Sequence, residues 1–269
     1  MIDLHLHTTA SDGLLEPSAL VSRAAERGLR TISITDHDTC AGLGEADDTA
    51  RRLGLRLICG VEITAVEDGR DVHMLAYFVD PESAALVDFL RAQRAQRVER
   101  VRQIAQRLAG LGFAIDVETL TAVTGRSIGR PQIADALVRE GHARDRDDAF
   151  ARLLAAGRPA FVPRRGPAPE AVITVAREAR GLVSMAHPGL TAMDHLIPRL
   201  AAAGLQAIEV RHSDHDRATE DRYRHVAAEY ELAVSGGSDY HGDVGHRAAS
   251  LGRITLTAEE LAALEARRP

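Results

Sequence analysis

Strand-like and helix-like runs alternate along the 269 residues, which predicts an α/β protein built on a parallel sheet, either a barrel or a doubly wound sheet. Two further observations bear on the choice. No Gly-x-Gly-x-x-Gly follows the first strand-like run, where His5-Leu6-His7 stands instead, and this weakens a dinucleotide-binding reading. Other runs end in histidine or in an Asp-x-His pair, at the carboxyl end where α/β barrels place their chemistry.

The strands are expected at Ile2–His7, Thr31–His37, Arg56–Ile63, Asp71–Phe78, Gly181–His187, Ala207–Arg211 and Ala233–Ser238. Amphipathic stretches at Glu16–Gly28, Gly42–Gly54 and Pro169–Gly181 read as helices, each closing on a glycine. Asp68-Gly69 lies between two strand-like runs and predicts a two-residue hairpin turn. From about Glu82 to Leu154 the pattern is helical throughout, bordered by Pro81 and by the stretch from Arg158-Pro159 to Pro169. This gives a barrel-like body of residues 1–81 and 166–269 interrupted by a helical insertion at 82–165.

Hydrophobic residues make up 45%, enough for a sizeable core, and no apolar run approaches the ~20 residues of a membrane span. The N-terminus does not read as a signal peptide, and Cys40 and Cys59 form neither a CxxC pair nor a disulfide framework, so the cytoplasm is the expected compartment. Every basic residue is arginine, which excludes Schiff-base chemistry and a P-loop lysine. The net charge of −6 argues against a broad nucleic-acid surface, yet it is unevenly spread. Between Arg91 and Arg165, 15 arginines face 8 acids, a net +7 in a chain whose remainder carries −13. A basic segment in an acidic body suits phosphate-bearing ligands.

Alternation along the strands groups the polar candidates. In the first strand Ile2, Leu4 and Leu6 form an apolar face, which leaves His5 and His7 together on the other, close enough to grip one cation. In the second, Ile32 and Ile34 point one way and His37 closes the opposite face; the flanking Asp36 and Asp38 read equally as partners for imidazole or as loop acids. With Asp68-Gly69 as the turn, Thr64 lies opposite His73 and Glu62 sits diagonally beside it, within reach of the same ion. His187 ends a strand just before Pro188, and Asp239 and His241 follow the last strand, where Gly236 and Gly237 would let backbone approach a ligand. Asp12 adds a carboxylate in the turn after the first strand. Mixed imidazole and carboxylate donors suit manganese, iron or zinc better than magnesium or calcium.

These residues fall in six ordered motifs: His-x-His, Ser-Asp-Gly, Ile-Thr-Asp-His-Asp, Gly-Val-Glu, Ala-His-Pro and Gly-Ser-Asp-Tyr-His-Gly. In that order they resemble the polymerase and histidinol phosphatase (PHP) family over nearly the whole chain. The resemblance implies a distorted (β/α)7 barrel holding two or three divalent cations, with manganese the first expectation and iron or zinc the next. It implies one metal on His5, His7, Glu62 and Asp239, a second on Glu62, His73 and His187, and a third on Asp12, His37 and His241.

Within the family the chain looks like the stand-alone branch that acts on 3′,5′-nucleotide bisphosphates and on the 5′ ends of short RNA. Ser127-Ile128-Gly129-Arg130-Pro131-Gln132 and Arg158-Pro159-Ala160-Phe161-Val162-Pro163 are similar to motifs of that branch, with Gln132 where histidine is common. The implied activity is phosphate-ester hydrolysis by a metal-bridged hydroxide centred on Glu62 and Asp239, with His212 protonating the leaving oxygen or holding phosphate. Arg130, with Ser127, Arg158, Arg164, Arg165 and Glu209, would contact substrate. The expected partner is a small phosphorylated nucleotide or an RNA 5′ end, with no membrane and no obligate protein. A histidinol-phosphate phosphatase is the alternative enzyme, disfavoured by the arginine-rich insertion. A non-catalytic metal-binding module is the alternative of another class, disfavoured because no ligand position is lost.

Overall fold

The computed structural model describes residues 1–122, 125–245 and 247–269. Seven strands form one sheet in chain order: β1 (Ile2–Leu6), β2 (Thr31–Ile34), β3 (Arg56–Glu67), β4 (Arg70–Tyr77), β5 (Leu182–Met185), β6 (Ala207–His212) and β7 (Ala233–Gly237). Leu6 bridges in parallel to Tyr240 just past β7, which brings the two edges together and nearly closes a barrel. Four neighbouring pairs are parallel, but β4 runs antiparallel to both β3 and β5, so the sheet is mixed and not wholly parallel. The hairpin causes this: it reverses the chain with Glu67 opposite Arg70 and Thr64 opposite His73, the register that an Asp-Gly turn at 68–69 dictates.

Helices α1 (Pro17–Glu26) and α2 (Leu43–Leu53) cover the first strands, and Leu20, Val21, Ala24, Ala46 and Ala50 pack on Leu6, Ile32 and Ile34. Full burial of each larger side chain contributes roughly 1.5–3 kcal/mol. α2 stops at Gly54, whose φ of 69° is the left-handed cap that the sequence calls for. Gly181 plays another part. The helix before it ends at Glu178, and Arg180 takes the left-handed conformation, while Gly181 leaves room for the Tyr77 carbonyl.

Between β4 and β5 the chain forms α3 (Ala84–Gly110), α4 (Val117–Thr121), α5 (Arg130–Arg139), α6 (Arg146–Ala149) and a π-helical turn at Phe150–Leu154. Val101, Ile104, Leu108, Ile133, Leu137 and Leu154 make a core cluster of their own there, separate from those against the sheet. After it come α7 (Pro169–Glu178), α8 (Pro188–Thr191), a 3-10 turn at Asp194–Leu196, α9 (Ile197–Ala202), α10 (Arg217–Glu229) and α11 (Ala258–Glu265). Among the described residues no helix is long and apolar enough to cross a membrane.

Candidate metal centre

Glu62 lies at the middle of the histidine cluster. It is 1% exposed, and its Oε2 is 3.4 Å from His5 Nε2, 3.3 Å from His7 Nε2 and 3.0 Å from His37 Nδ1. Its Oε1 is 2.8 Å from His73 Nδ1 and 3.1 Å from His187 Nε2. Asp239 Oδ1 faces the same His5 and His7 nitrogens at 3.4 and 3.1 Å. Asp12 closes the far side, 3.7 Å from His37 Nε2 and 3.3 Å from His241 Nε2. All nine residues expected as ligands therefore meet in one place, from β1, β3, β4 and the segments that follow β1, β2, β5 and β7. Two of them, His187 and Asp239, are non-glycine residues with positive φ of 26° and 49°, a backbone cost accepted where each strand turns into the site.

Charge balance supports the same grouping. Burial by itself would push His5 and His7 down. The carboxylates of Glu209, Asp239 and Glu62 nevertheless lift His5 well above the usual imidazole range, and Asp239 and Glu62 lift His7 to about 10. Burial works against ionisation of Glu62, Asp239 and Asp12, yet the surrounding histidines hold all three well below the ordinary carboxylate range. At His37 burial wins and the ring is pushed down.

The residues fit divalent cations by a simple test. His5 Nε2, His7 Nε2, His37 Nδ1 and His73 Nδ1 are buried and have no hydrogen-bond partner, although carboxylate oxygens stand close to each. Unpaired buried nitrogens are costly unless something else binds their lone pairs. Donor atoms of His5, His7 and Asp239, of His7, Asp12, His37 and His241, and of His37, Glu62 and His73 lie within 4.8 Å of one another, close enough to share an ion.

Neighbouring groups fix which nitrogen points inward. His5 Nδ1 donates to Glu209 Oε1 at 2.9 Å, and His241 Nδ1 donates to the Asp239 carbonyl at 2.9 Å, which leaves each Nε2 lone pair facing the cluster. Glu209 Oε2 accepts from the His187 backbone N–H at 2.7 Å. Both oxygens of Glu209 are thus engaged and the residue is fully buried, so it orients His5 and His187 instead of meeting substrate as expected. His212 differs from the others. Its Nδ1 accepts from the Asp214 backbone N–H, so the neutral ring carries its proton on Nε2, 3.2 Å from Asp239 Oδ2.

Asp36 and Asp38 hold backbone and loops, not imidazole. Asp36 accepts from the Thr8 N–H, the Thr8 hydroxyl and the Ser11 hydroxyl, which secures the turn before Asp12. Asp38 accepts from the Thr64 N–H and from Arg97 of α3. Gly236 and Gly237 likewise serve packing: a Cβ on Gly237 would meet the His5 backbone nitrogen at 2.3 Å, so glycine lets β7 lie against β1 beside the site.

The expected substrate contacts divide. Ser127 is buried with an unpartnered hydroxyl and lines a cleft with Asp12, and Gln132 bonds the Ser11 carbonyl at 2.5 Å, tying α5 to that rim. Arg130 lies over Phe150 and Phe161 and reaches within 3.9 Å of Asp71, two residues before His73. Arg164 stands between Asp71 and Asp38. Arg158 and Arg165 are exposed, and no ion pair ties either to those acids.

Three residues carry no local sequence signal. Arg247, in the long loop after β7, grips both Asp239 and Asp214. Arg97 comes from the insertion to a buried pair with Asp38 and a 3.0 Å bond to the Thr64 hydroxyl. Asp3, at the foot of the histidine face of β1, accepts from the His5 and Ser238 N–H groups.

A nearly closed mixed barrel with imidazoles and carboxylates gathered at its rim defines a metal-binding α/β barrel. The PHP domain profile matches residues 3–155, and the chain belongs to that family. It is 33% identical over 258 residues to the 3′,5′-nucleoside bisphosphate phosphatase of Chromobacterium violaceum, covering 91% of this chain and 90% of that protein. It is 36% identical over 247 residues to the 5′-3′ exoribonuclease Rnm of Salmonella typhimurium, covering 89% and 84%. A crystal structure assigned as a metal-dependent phosphoesterase from Bifidobacterium adolescentis superposes with a TM-score of 0.90 at 34% identity, over 100% of this chain and 96% of that one.

Proposed function

We propose that the protein is a metal-dependent phosphoesterase acting on nucleotides. Its reactions would be removal of the 3′ phosphate from 3′,5′-nucleoside bisphosphates and 5′-3′ trimming of short RNA, with manganese as the metal. The observation that carries this is the convergence of nine imidazole and carboxylate side chains, Glu62 among them, with unpaired ring nitrogens facing inward, next to guanidinium groups from the insertion. Divalent cations held by those residues would activate water and offset phosphate charge.

The chain's own groups then have distinct tasks. Glu62 and Asp239 hold the cluster together. His212, with Nδ1 accepting from the Asp214 N–H, would offer its Nε2–H as a hydrogen-bond donor that holds a phosphate oxygen. Arg130 and Arg164, on an insertion spanning 82–165, bind phosphate oxygens. No cysteine serves as nucleophile: burial pushes the Cys40 thiol up to about 12 and Cys59 higher still. The test is a substrate panel with manganese: adenosine 3′,5′-bisphosphate, a 5′-phosphorylated oligoribonucleotide and histidinol phosphate. Release of phosphate from the first, or of mononucleotide from the second, is expected. Turnover of histidinol phosphate alone contradicts the reading.

A further inference from the structure

A groove of about 660 Å³ runs between α3 and the extended segment 162–165. Gln93, Gln96, Arg100, Gln103 and Arg107 recur along α3 at three- and four-residue steps, so they share one face roughly 21 Å long at ~1.5 Å per residue. The facing segment is held by Arg100, which donates to the Val162 carbonyl at 2.9 Å, and by Arg107, which donates to the Phe161 carbonyl at 2.5 Å. Glu99 is the acid among the lining residues, and Gln103 already bonds it.

The inner end of this groove abuts the metal centre. Arg97 and Arg164 line it there, and both reach Asp38, the residue after His37. Arg100 and Arg130 both lie over the Phe161 ring, at 5.9 and 5.8 Å from its centre. Positive charge is in excess. Arg164 Nε is buried without a hydrogen-bond partner, and Asp71 and Asp38 stand off at 3.5 and 3.6 Å. Burial, then the nearby arginines, push Arg164 down to about 9 and Arg100 to about 10. Guanidinium groups so placed gain from phosphate oxygens more than solvated ones do. No aromatic side chain lines the groove, so it offers no stacking platform.

We propose that the groove along α3 binds the sugar-phosphate backbone of the nucleotides 3′ to the reacting phosphate of a short single-stranded RNA. The proposal rests on the reading of the metal centre as a nucleotide phosphoesterase. It makes the groove a site for chain length, sensitive to salt.

Arg107 sits at the outer end of α3, away from the ligands, and suits the test. Arg107→Gln and Arg107→Glu in the manganese-loaded full chain are compared with Arg102→Gln, an exposed change on the same helix that does not line the groove. Substrates are adenosine 3′,5′-bisphosphate, a 5′-phosphorylated dinucleotide and a 5′-phosphorylated hexanucleotide. The expected result is a KM for the hexanucleotide raised about fivefold by glutamine and further by glutamate, several times more than any change in KM for the bisphosphate. The slope of log KM against log salt should fall by about 0.7, as for one lost phosphate contact on a single strand. Parallel losses on bisphosphate and hexanucleotide, an effect equalled by Arg102→Gln, or no effect would overturn the proposal. If the wild type turns over none of the three, the nucleotide reading has failed. Anisotropy of a labelled hexanucleotide then judges the groove alone: weaker binding by Arg107→Glu sustains it, and equal binding refutes it.

Discussion

The histidine cluster and the arginine-lined insertion face the same electrostatic problem with opposite sign. Around Glu62, buried carboxylates gather and draw positive charge onto neighbouring imidazoles such as His5 and His7. Around Asp71, guanidinium groups crowd one another with too few acids. The first region is built from strands and the segments at their ends, and even its secondary contacts, such as Glu209 to His5, come from the barrel. The second hangs on one long helix and an extended segment, and reaches the barrel through Arg97, Arg164 and Gln132. The difference suggests a division of labour. On the proposed function, the barrel would fix the chemistry and the insertion would select what is brought to it.

The comparison can be broken most decisively at Glu62. Glu62→Gln should lower kcat by about 10⁴-fold and deplete bound metal in elemental analysis, because it weakens contact with several histidines at once. Retention of a tenth of the activity would remove Glu62 from the centre of the account. Asp3 sharpens the contrast within the barrel itself. Burial, opposed by the Ser238 and His5 hydrogen bonds, raises its carboxyl to about 7. The folded metal-free protein then keeps a proton that the unfolded chain loses near pH 4. Stability should therefore fall as pH rises from about 4 to 7 and level off above, by at most about 4 kcal/mol. Asp3→Asn should flatten that slope in urea titrations at stepped pH.

Arg97 probes the joint between the two regions. Removing one partner of its buried pair with Asp38, as in Arg97→Met, should cost about 3 kcal/mol by urea denaturation. The smallest effect is expected at His212, which on the proposed function hydrogen-bonds phosphate and does not ligate metal. His212→Asn should reduce kcat by about 10²-fold with metal content unchanged, and a parallel loss of metal would make it a ligand after all.

The barrel site was largely legible because strand alternation is local. Two-residue spacing puts His5 and His7 on one face, and an Asp-Gly turn fixes the register that sets Thr64 opposite His73 and brings Glu62 alongside. What stayed hidden depends on contacts between distant segments. Nothing near Glu209 shows that its two oxygens are taken by His5 and His187. Nor does anything near Arg247 reveal its grip on Asp239, since that loop has neither period nor motif. The antiparallel β4 follows from the hairpin, although strand–helix alternation elsewhere favours a parallel sheet. Arg158 and Arg164 show the limit of reading charge alone, because an arginine-rich stretch does not say that Arg164 turns in beside Asp38 and Asp71 while Arg158 stays exposed.

Anomalous diffraction at the manganese edge, from crystals grown with the metal, tests the central claim most directly. Two or three peaks should appear among His5, His7, Asp12, His37, Glu62, His73, His187, Asp239 and His241, with Glu62 between two of them. No peak within that cluster, or manganese bound only elsewhere on the chain, would contradict it.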